Sequence, residues 1–118
     1  MSNNQLVLAD IAAGNVDSTG ASGGDKLQGT LGCVALKGGT GLILVTLDAP
    51  NNGLTQSDVV VNMGMGFNSS KSPGGFTATM STLVAGAFTV SIWDQTTVPP
   101  ALIDGSIHFV IKRKYQNQ

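Results

Sequence analysis

Residues 75–94 of the chain, GFTATMSTLVAGAFTVSIWD, alternate apolar with small polar side chains in two runs. A period of two places every second side chain on the same face of a β-strand. In the first run Phe76, Ala78 and Met80 share one face, and residues 88–92 repeat the pattern in the second run. The Val-Ala-Gly-Ala connection lies between them, so the sequence predicts a β-hairpin with one apolar face and one uncharged polar face.

Similar segments, separated by turn residues, follow one another along most of the chain. Further strands are predicted at residues 30–37, 41–50, 57–67 and 106–114, and a loop is predicted at residues 68–75. The apolar run GLILV at the start of the second segment predicts a strand that is buried on both faces. Six or seven short strands of this kind predict an all-β fold, an antiparallel β-sandwich that is jelly-roll-like.

The composition argues against helices and for a covered surface. Charged residues make up 11% of the chain, where about 25% is typical, and glutamate is absent. Glu and Lys are the residues that usually fill exposed helix faces. With a net charge of -1, copies of the chain repel each other weakly, so we expect the uncharged surface to be covered by oligomerisation or by docking on a larger body.

The first 29 residues allow two interpretations. A polar start is followed by the apolar patch Leu6, Val7 and Leu8, and residues 14–29 are rich in Gly, Ser and Asp. One interpretation is an extended N-terminal arm and flexible loop at residues 1–29, which reaches a neighbour, before a β-sandwich domain at residues 30–118. The other interpretation is a first strand followed by a wide loop.

Residues with catalytic potential are few. His108 is the single histidine, and alternation places it on the polar or interface face of its strand. Asp104 and Ser106 are near it in sequence, but residues of one strand do not converge as a catalytic triad must. An oxygen-rich calcium site is an alternative for the loop from Asp17 to Asp25, although the loop lacks the alternating acidic pattern of a known calcium loop. We therefore expect no enzymatic activity, no metal and no cofactor.

The remaining features concern location and partners. Cys33 is the single cysteine and is expected in the core of a protein made in a cytoplasm, with no signal peptide and no membrane span. The basic cluster at residues 112–114 is interpreted as a charged strand end, with phosphate or an acidic partner as the alternative. No nucleic-acid partner is expected. Trp93, at a strand end, is expected to pack on a sheet edge or a subunit contact.

Residues 30–113 resemble the small β-rich proteins of tailed-phage virions. The matching segments are GTLGCVAL, GLILVTLDAP, NNGLTQSDVVVNMG, GGFTATMSTLVAGAFTVSI and DGSIHFVIKR. Within that group, a chain of this length is similar to the capsid decoration (cement) proteins. The resemblance implies a jelly-roll-like homotrimer on the outer capsid surface of the virion, with the major capsid protein as its partner.

The function expected from the resemblance is structural. The protein would bridge capsid subunits and stabilise the shell, with interface residues Leu6, Val7, Leu8, Trp93 and His108. The alternative is a receptor- or carbohydrate-binding module of a phage fibre or tail, which several exposed aromatic rings around one pocket would favour. A small hydrolase is a third interpretation, and it requires Asp104, His108 and a serine to converge in one cleft.

Overall fold

The computed structural model describes residues 5–66 and 75–117. Within these ranges ten strands form two antiparallel sheets that face each other, and one short 3-10 helix, Gln56–Asp58, lies between the fifth and sixth strands. The strands are β1 (Gln5–Asp17), β2 (Lys26–Leu27), β3 (Thr30–Leu31), β4 (Cys33–Gly39), β5 (Leu42–Leu47), β6 (Val59–Met65), β7 (Phe76–Met80), β8 (Ala87–Asp94), β9 (Ala101–Leu102) and β10 (Ser106–Asn117). The predicted all-β, antiparallel sandwich is confirmed.

The smaller sheet has the strand order β3-β1-β10-β6. β1 and β10 pair along their whole length, from Asp17 opposite Ser106 to Gln5 opposite Asn117. The flanking strands are much shorter, because β3 pairs at two positions of β1 and β6 follows β10 only as far as Arg113. The far ends of β1 and β10 therefore continue as a two-stranded ribbon.

The larger sheet has the order β2-β4-β5-β8-β7, with β9 added against β8. This sheet contains two hairpins, β4–β5 and β7–β8, in which consecutive strands pair with each other. The β7–β8 hairpin closes at Val84 and Ala87, whose backbones exchange two hydrogen bonds of 3.0 Å. The two residues between them, Ala85 and Gly86, have φ angles of 50° and 73°, as a tight hairpin turn requires.

The core lies between the sheets. The alternating apolar residues of 88–92 and 107–111 point inward and are almost fully buried, as predicted. Phe88 and Phe109 meet across the two sheets in a T-shaped contact with 6.3 Å between ring centroids. The Phe109 ring lies so close to Gly14 that a Cβ there would be 2.5 Å from it, so this position of β1 requires glycine.

Three expectations need correction or fall outside the structure. Residues 5–17 are not an arm outside the sandwich, because they form β1, which lies inside the smaller sheet, and the first-strand interpretation describes them. β5 is buried on one face only, since its outward residue Leu44 is 39% exposed. The loop predicted at residues 68–75 lies outside the described residues except for Gly75.

Candidate interaction surfaces

The outer face of the larger sheet carries no charged side chain on its four main strands. The outward positions of β4, β5, β7 and β8 follow from the alternating burial of each strand. We call this surface the uncharged face, and it consists of Val34, Leu36, Leu42, Leu44, Thr46, Thr77, Thr79, Ala87, Thr89, Ser91 and Trp93. Charge depletion of this kind is typical of the centre of a protein–protein interface.

Two polar donors on the uncharged face already have hydrogen-bond partners on or beside it. The Trp93 indole N–H donates to the Thr79 hydroxyl at 3.1 Å, and the Thr89 backbone N–H donates to the Ser81 hydroxyl at 2.9 Å. Covering a polar group costs free energy when its donor loses a hydrogen bond to water and gains no other acceptor. These donors would not lose a partner if another protein covered the face.

Apolar side chains occupy the middle of the same face. Leu36 and Leu44 are 38% and 39% exposed and lie opposite each other on β4 and β5. Next to Leu44 is a shallow depression of about 160 Å³, bordered by Thr46, Ala87 and Thr89. A flat, uncharged sheet with an apolar centre and a shallow depression suits a protein partner better than a small molecule.

The second candidate surface is the ribbon formed by Gln5–Ala9 and Arg113–Asn117, which we call the terminal ribbon. Its side chains Leu6, Val7 and Leu8 are 63%, 44% and 42% exposed, as suits a contact surface. Burying what remains exposed of each would stabilise a complex by about 1 kcal/mol per side chain. The ribbon contributes to an elongated shape, with extents of 56 × 26 × 22 Å.

The other two predicted interface residues lie on different surfaces. Trp93 is half-buried near the end of β8, on the uncharged face. His108 is exposed on the outer face of the smaller sheet, opposite Asn15 and Gly64, and its imidazole lies over Gly64. Near it is a mostly apolar groove of about 350 Å³ that Leu31 and Val110 also line. The structure therefore distributes the predicted residues over three surfaces.

A buried ion pair fixes the loop that precedes β2. The Lys37 ammonium lies 2.6 Å from an Asp104 carboxylate oxygen and also donates to the backbone carbonyls of Ser18 and Ala21. The Asp104 carboxylate accepts further bonds from the Gly41 N–H and the Ser18 hydroxyl. The segment that the sequence suggested was a flexible connection is held in place here by Lys37.

The same geometry bears on the hydrolase interpretation. The Ser18 hydroxyl donates to the Asp104 carboxylate at 3.3 Å, as two members of a triad could. The basic group bonded to Asp104 is Lys37, however, and not a histidine. His108 lies on the exposed outer face of the smaller sheet, where no hydrogen bond joins it to a described serine or aspartate. The convergence that this interpretation requires is not found in residues 5–66 and 75–117.

The acidic loop and the basic cluster both have local partners. Asp17 and Asp25 accept backbone N–H bonds within their own turns, and no metal-ligand cluster is found among the described residues. Lys112 pairs with Asp10 at 2.7 Å, and the Arg113 guanidinium donates to the Asn51 side chain. These groups serve local structure, which fits the charged-strand-end interpretation of residues 112–114.

Sequence reasoning missed the exposed large apolar residues of the uncharged face, Leu36 and Leu44. A signal existed, because both occupy outward positions in the alternation of their strands. The apolar run of β5 indicates burial on two sides, and the folded chain supplies burial on one side only. The second face of β5, which the apolar run predicted to be buried, is therefore exposed in the folded chain.

Comparisons with known proteins found no match, either to a protein-family model, to a curated protein or to a solved structure. Among the described residues, no helix is long and apolar enough to cross a membrane. The fold and the two candidate surfaces are thus the observations from which function is inferred.

Proposed function

We propose that this protein is a structural component of a virion, which binds the outer capsid surface as an oligomer and stabilises the shell. The uncharged face is the observation that carries the proposal, because its apolar centre and its lack of charge suit permanent coverage by protein. The sequence resemblance to capsid decoration proteins indicates the kind of body on which it docks, with the major capsid protein as partner.

The uncharged face alone is smaller than a standard protein–protein interface. Four strands spaced by about 4.8 Å and about six residues long give the uncharged face roughly 400 Å² of flat area. A standard stable interface takes about 800 Å² of accessible surface from each partner. The uncharged face therefore needs a second contact elsewhere on the molecule, and the terminal ribbon of the smaller sheet offers one.

Stabilisation would follow from linkage. A protein that binds the assembled shell and not the loosened one shifts the equilibrium toward the shell, in proportion to its affinity. This mechanism needs no cofactor and no reaction. It requires many identical contacts, which a small oligomer at each junction between capsid subunits would provide.

Immunogold labelling of virus particles from the source of the sequence tests the proposal. An antibody raised against the purified chain is expected to label the outside of the head at many positions. Label restricted to tail tips would instead support the receptor- or carbohydrate-binding module. Absence of label from all particles would contradict both.

A matched pair of variants links such labelling to the uncharged face. Leu44→Lys places a charge at the centre of the face, and it should abolish binding to particles stripped of the protein. Val98→Lys changes a loop residue that is 98% exposed and lies outside the face, so it should bind normally. Equal binding of the two variants would remove the uncharged face from the proposal.

The receptor-binding alternative has less support from the exposed aromatic residues. Trp93 lies near the end of β8 in the larger sheet, whereas Tyr115 lies on the terminal ribbon of the smaller sheet. Phe76, Phe88 and Phe109 are buried. Among the described residues the rings do not surround one pocket, which is the arrangement that this alternative requires.

A further inference from the structure

We propose that the exposed edge of β1 in the terminal ribbon pairs with the same edge of a second copy of this chain, antiparallel and around a two-fold axis. The inference specifies which surface joins the copies, and it rests on the oligomeric part of the proposed function. A two-fold contact predicts an even number of copies, where the resemblance implies a trimer.

The edge of β1 is open over its first six described residues. On one side β10 pairs with the strand throughout. On the other side β3 pairs only at Ala13 and Gly14, and Gly32 packs against the carbonyl of Ile11. From Gln5 to Asp10, β10 is the one strand partner in the described chain. The backbone groups that point away from β10 are therefore available to another strand.

This edge lacks the features that usually protect an edge strand. Natural edges carry proline, inward-pointing charges or lysine, or they are very short. Residues 6–9 are Leu-Val-Leu-Ala, and the first charge, Asp10, is paired with Lys112. An isolated two-stranded hairpin is marginally stable in water, whereas three or more strands with an apolar face are stable. Pairing of two ribbons gives four strands.

The side chains favour a second copy as the occupant. Leu6 and Leu8 share one face of the ribbon, and Val7 shares the other face with its cross-strand partner Tyr115. A two-fold axis perpendicular to the sheet keeps each side chain on its face, so Leu residues meet Leu residues of the copy. Cross-strand apolar pairs of this kind stabilise sheets.

The charges favour pairing through β1 and oppose pairing through β10. Arg113 and Lys114 lie on β10, which would be the outer strand on each side of the joined ribbons. The two β10 strands would be about 14 Å apart, which exceeds the Debye length of about 8 Å at physiological salt. Pairing through β10 would instead bring Lys114 close to its own copy.

A cysteine scan tests the geometry. In an antiparallel two-fold pair, one residue of the strand lies opposite its own copy. Among Leu6→Cys, Val7→Cys and Leu8→Cys, one variant is expected to form an intermolecular disulfide far faster than the others on mild oxidation. Leu31→Cys (76% exposed on β3) and Tyr115→Cys (44% exposed on β10) are the controls, and the native Cys33 is buried.

Light scattering completes the test. The unmodified chain is expected to show the mass of an even number of copies, and Val7→Lys is expected to halve that mass while the circular dichroism spectrum of the folded chain is retained. A monomer, a trimer, or cross-linking as fast at either control position would overturn the inference. A monomer that still labels virus heads would leave the capsid-binding part of the proposed function standing and contradict its oligomeric part, whereas a β1-linked dimer absent from particles would contradict only the proposed function.

Discussion

At the scale of single residues, Lys37 is a charged side chain placed in the core. It is 7% exposed on the inner face of β4, in line with the apolar residues Cys33 and Ala35. Its ammonium group is compensated by one carboxylate and two backbone carbonyls. Removing the carboxylate of such a pair leaves a buried positive charge without an opposite charge, which costs more than the pair contributes.

Asp104→Asn should therefore lower the free energy of unfolding by about 3–5 kcal/mol. Asp10→Asn is the matched control, because it breaks the Lys112–Asp10 pair, whose side chains are 32% and 67% exposed, and should cost about 1 kcal/mol or less. Urea denaturation of both variants measures the difference. Equal costs for the two substitutions would show that the buried pair has no special role.

The pH dependence of the same pair provides a second measurement. Burial raises the pKa of the Asp104 carboxyl, but bonds from Gly41, Lys37 and Ser18 outweigh it, so the pKa lies below 3.8 in the fold. The stabilisation is then present above the unfolded-state pKa and is lost as pH falls through the folded-state pKa. The free energy of unfolding should therefore fall as the pH is lowered below about 4. The Asp104→Asn variant should lack the part of this fall that comes from protonation of Asp104.

Cys33 is the other residue whose ionisation the fold controls. Burial, with a smaller contribution from Asp48, raises the pKa of its thiol to about 11. The thiolate is the reactive form, so the folded chain should resist iodoacetamide at pH 8 and react fully in urea. The exposed thiol of Leu31→Cys is the positive control. Rapid alkylation of native Cys33 without unfolding would contradict its placement in the core.

The sequence could indicate these residues only in part. Burial of Cys33 follows from its apolar neighbours, and the inward positions of residues 107–111 follow from alternation. The Lys37–Asp104 pair could not be predicted, because its members are 67 residues apart and nothing in the local pattern of TLGCVALK distinguishes an inward lysine from an outward one. Long-range pairing of charges is set by topology, which local periodicity does not encode.

At the scale of elements, the β7–β8 hairpin contains a turn with an unfavourable residue. Ala85 has a φ angle of 50°, a conformation that costs an ordinary L-residue roughly 1 kcal/mol or more. Gly86 adopts its positive φ without this cost. Asn-Gly is the preferred pair for a two-residue turn in which both central residues have positive φ.

Ala85→Asn should therefore raise the free energy of unfolding by about 0.5–1 kcal/mol, since Asn tolerates the left-handed region better than Ala. Val84→Asn, a change at the neighbouring residue that is 64% exposed and lacks a positive φ, is the control and should not stabilise. Thermal and urea unfolding measure both. A destabilised Ala85→Asn variant would contradict the turn geometry described here.

The accuracy of sequence-based prediction differed among elements for a physical reason. Hairpins such as β7–β8 were predictable, because their apolar residues recur every second position and local turn residues set the register. β1 was ambiguous, since its small residues and Gly14 match no strong periodicity and its strand character comes from pairing with β10, the last strand of the chain. The single-sided burial of β5 was missed because an apolar run does not reveal whether the second layer belongs to the same chain.

At the scale of the whole molecule, the low content of charged residues affects which forces can drive association with a partner. The radius of gyration is 15.5 Å, against about 13.5 Å for a compact domain of this length, so the molecule exposes more surface than its size requires. The uncharged face is a part of that surface on which the four strands carry no charge. Association through it should be driven by apolar burial, which salt does not screen.

Binding to capsid shells is accordingly expected to persist, or to strengthen, when NaCl is raised from about 0.1 M to about 1 M, over which the Debye length falls from about 10 Å to about 3 Å. Sedimentation of labelled protein with shells at several salt concentrations measures this. A steep loss of binding with salt would assign the contact to residues 112–114 and would exclude the uncharged face as the main docking surface.

The pairing of Gln5 with Asn117 places the two ends of the described chain on neighbouring strands at the same tip. Paired residues of antiparallel strands lie about 5 Å apart between Cα atoms. A few residues would suffice to join the two ends covalently, and the chain could then be made as a closed circle without moving either sheet. Such a circular backbone could be reopened at the exposed loop around Val98, which would give a permuted protein with the same core and new termini at the opposite end.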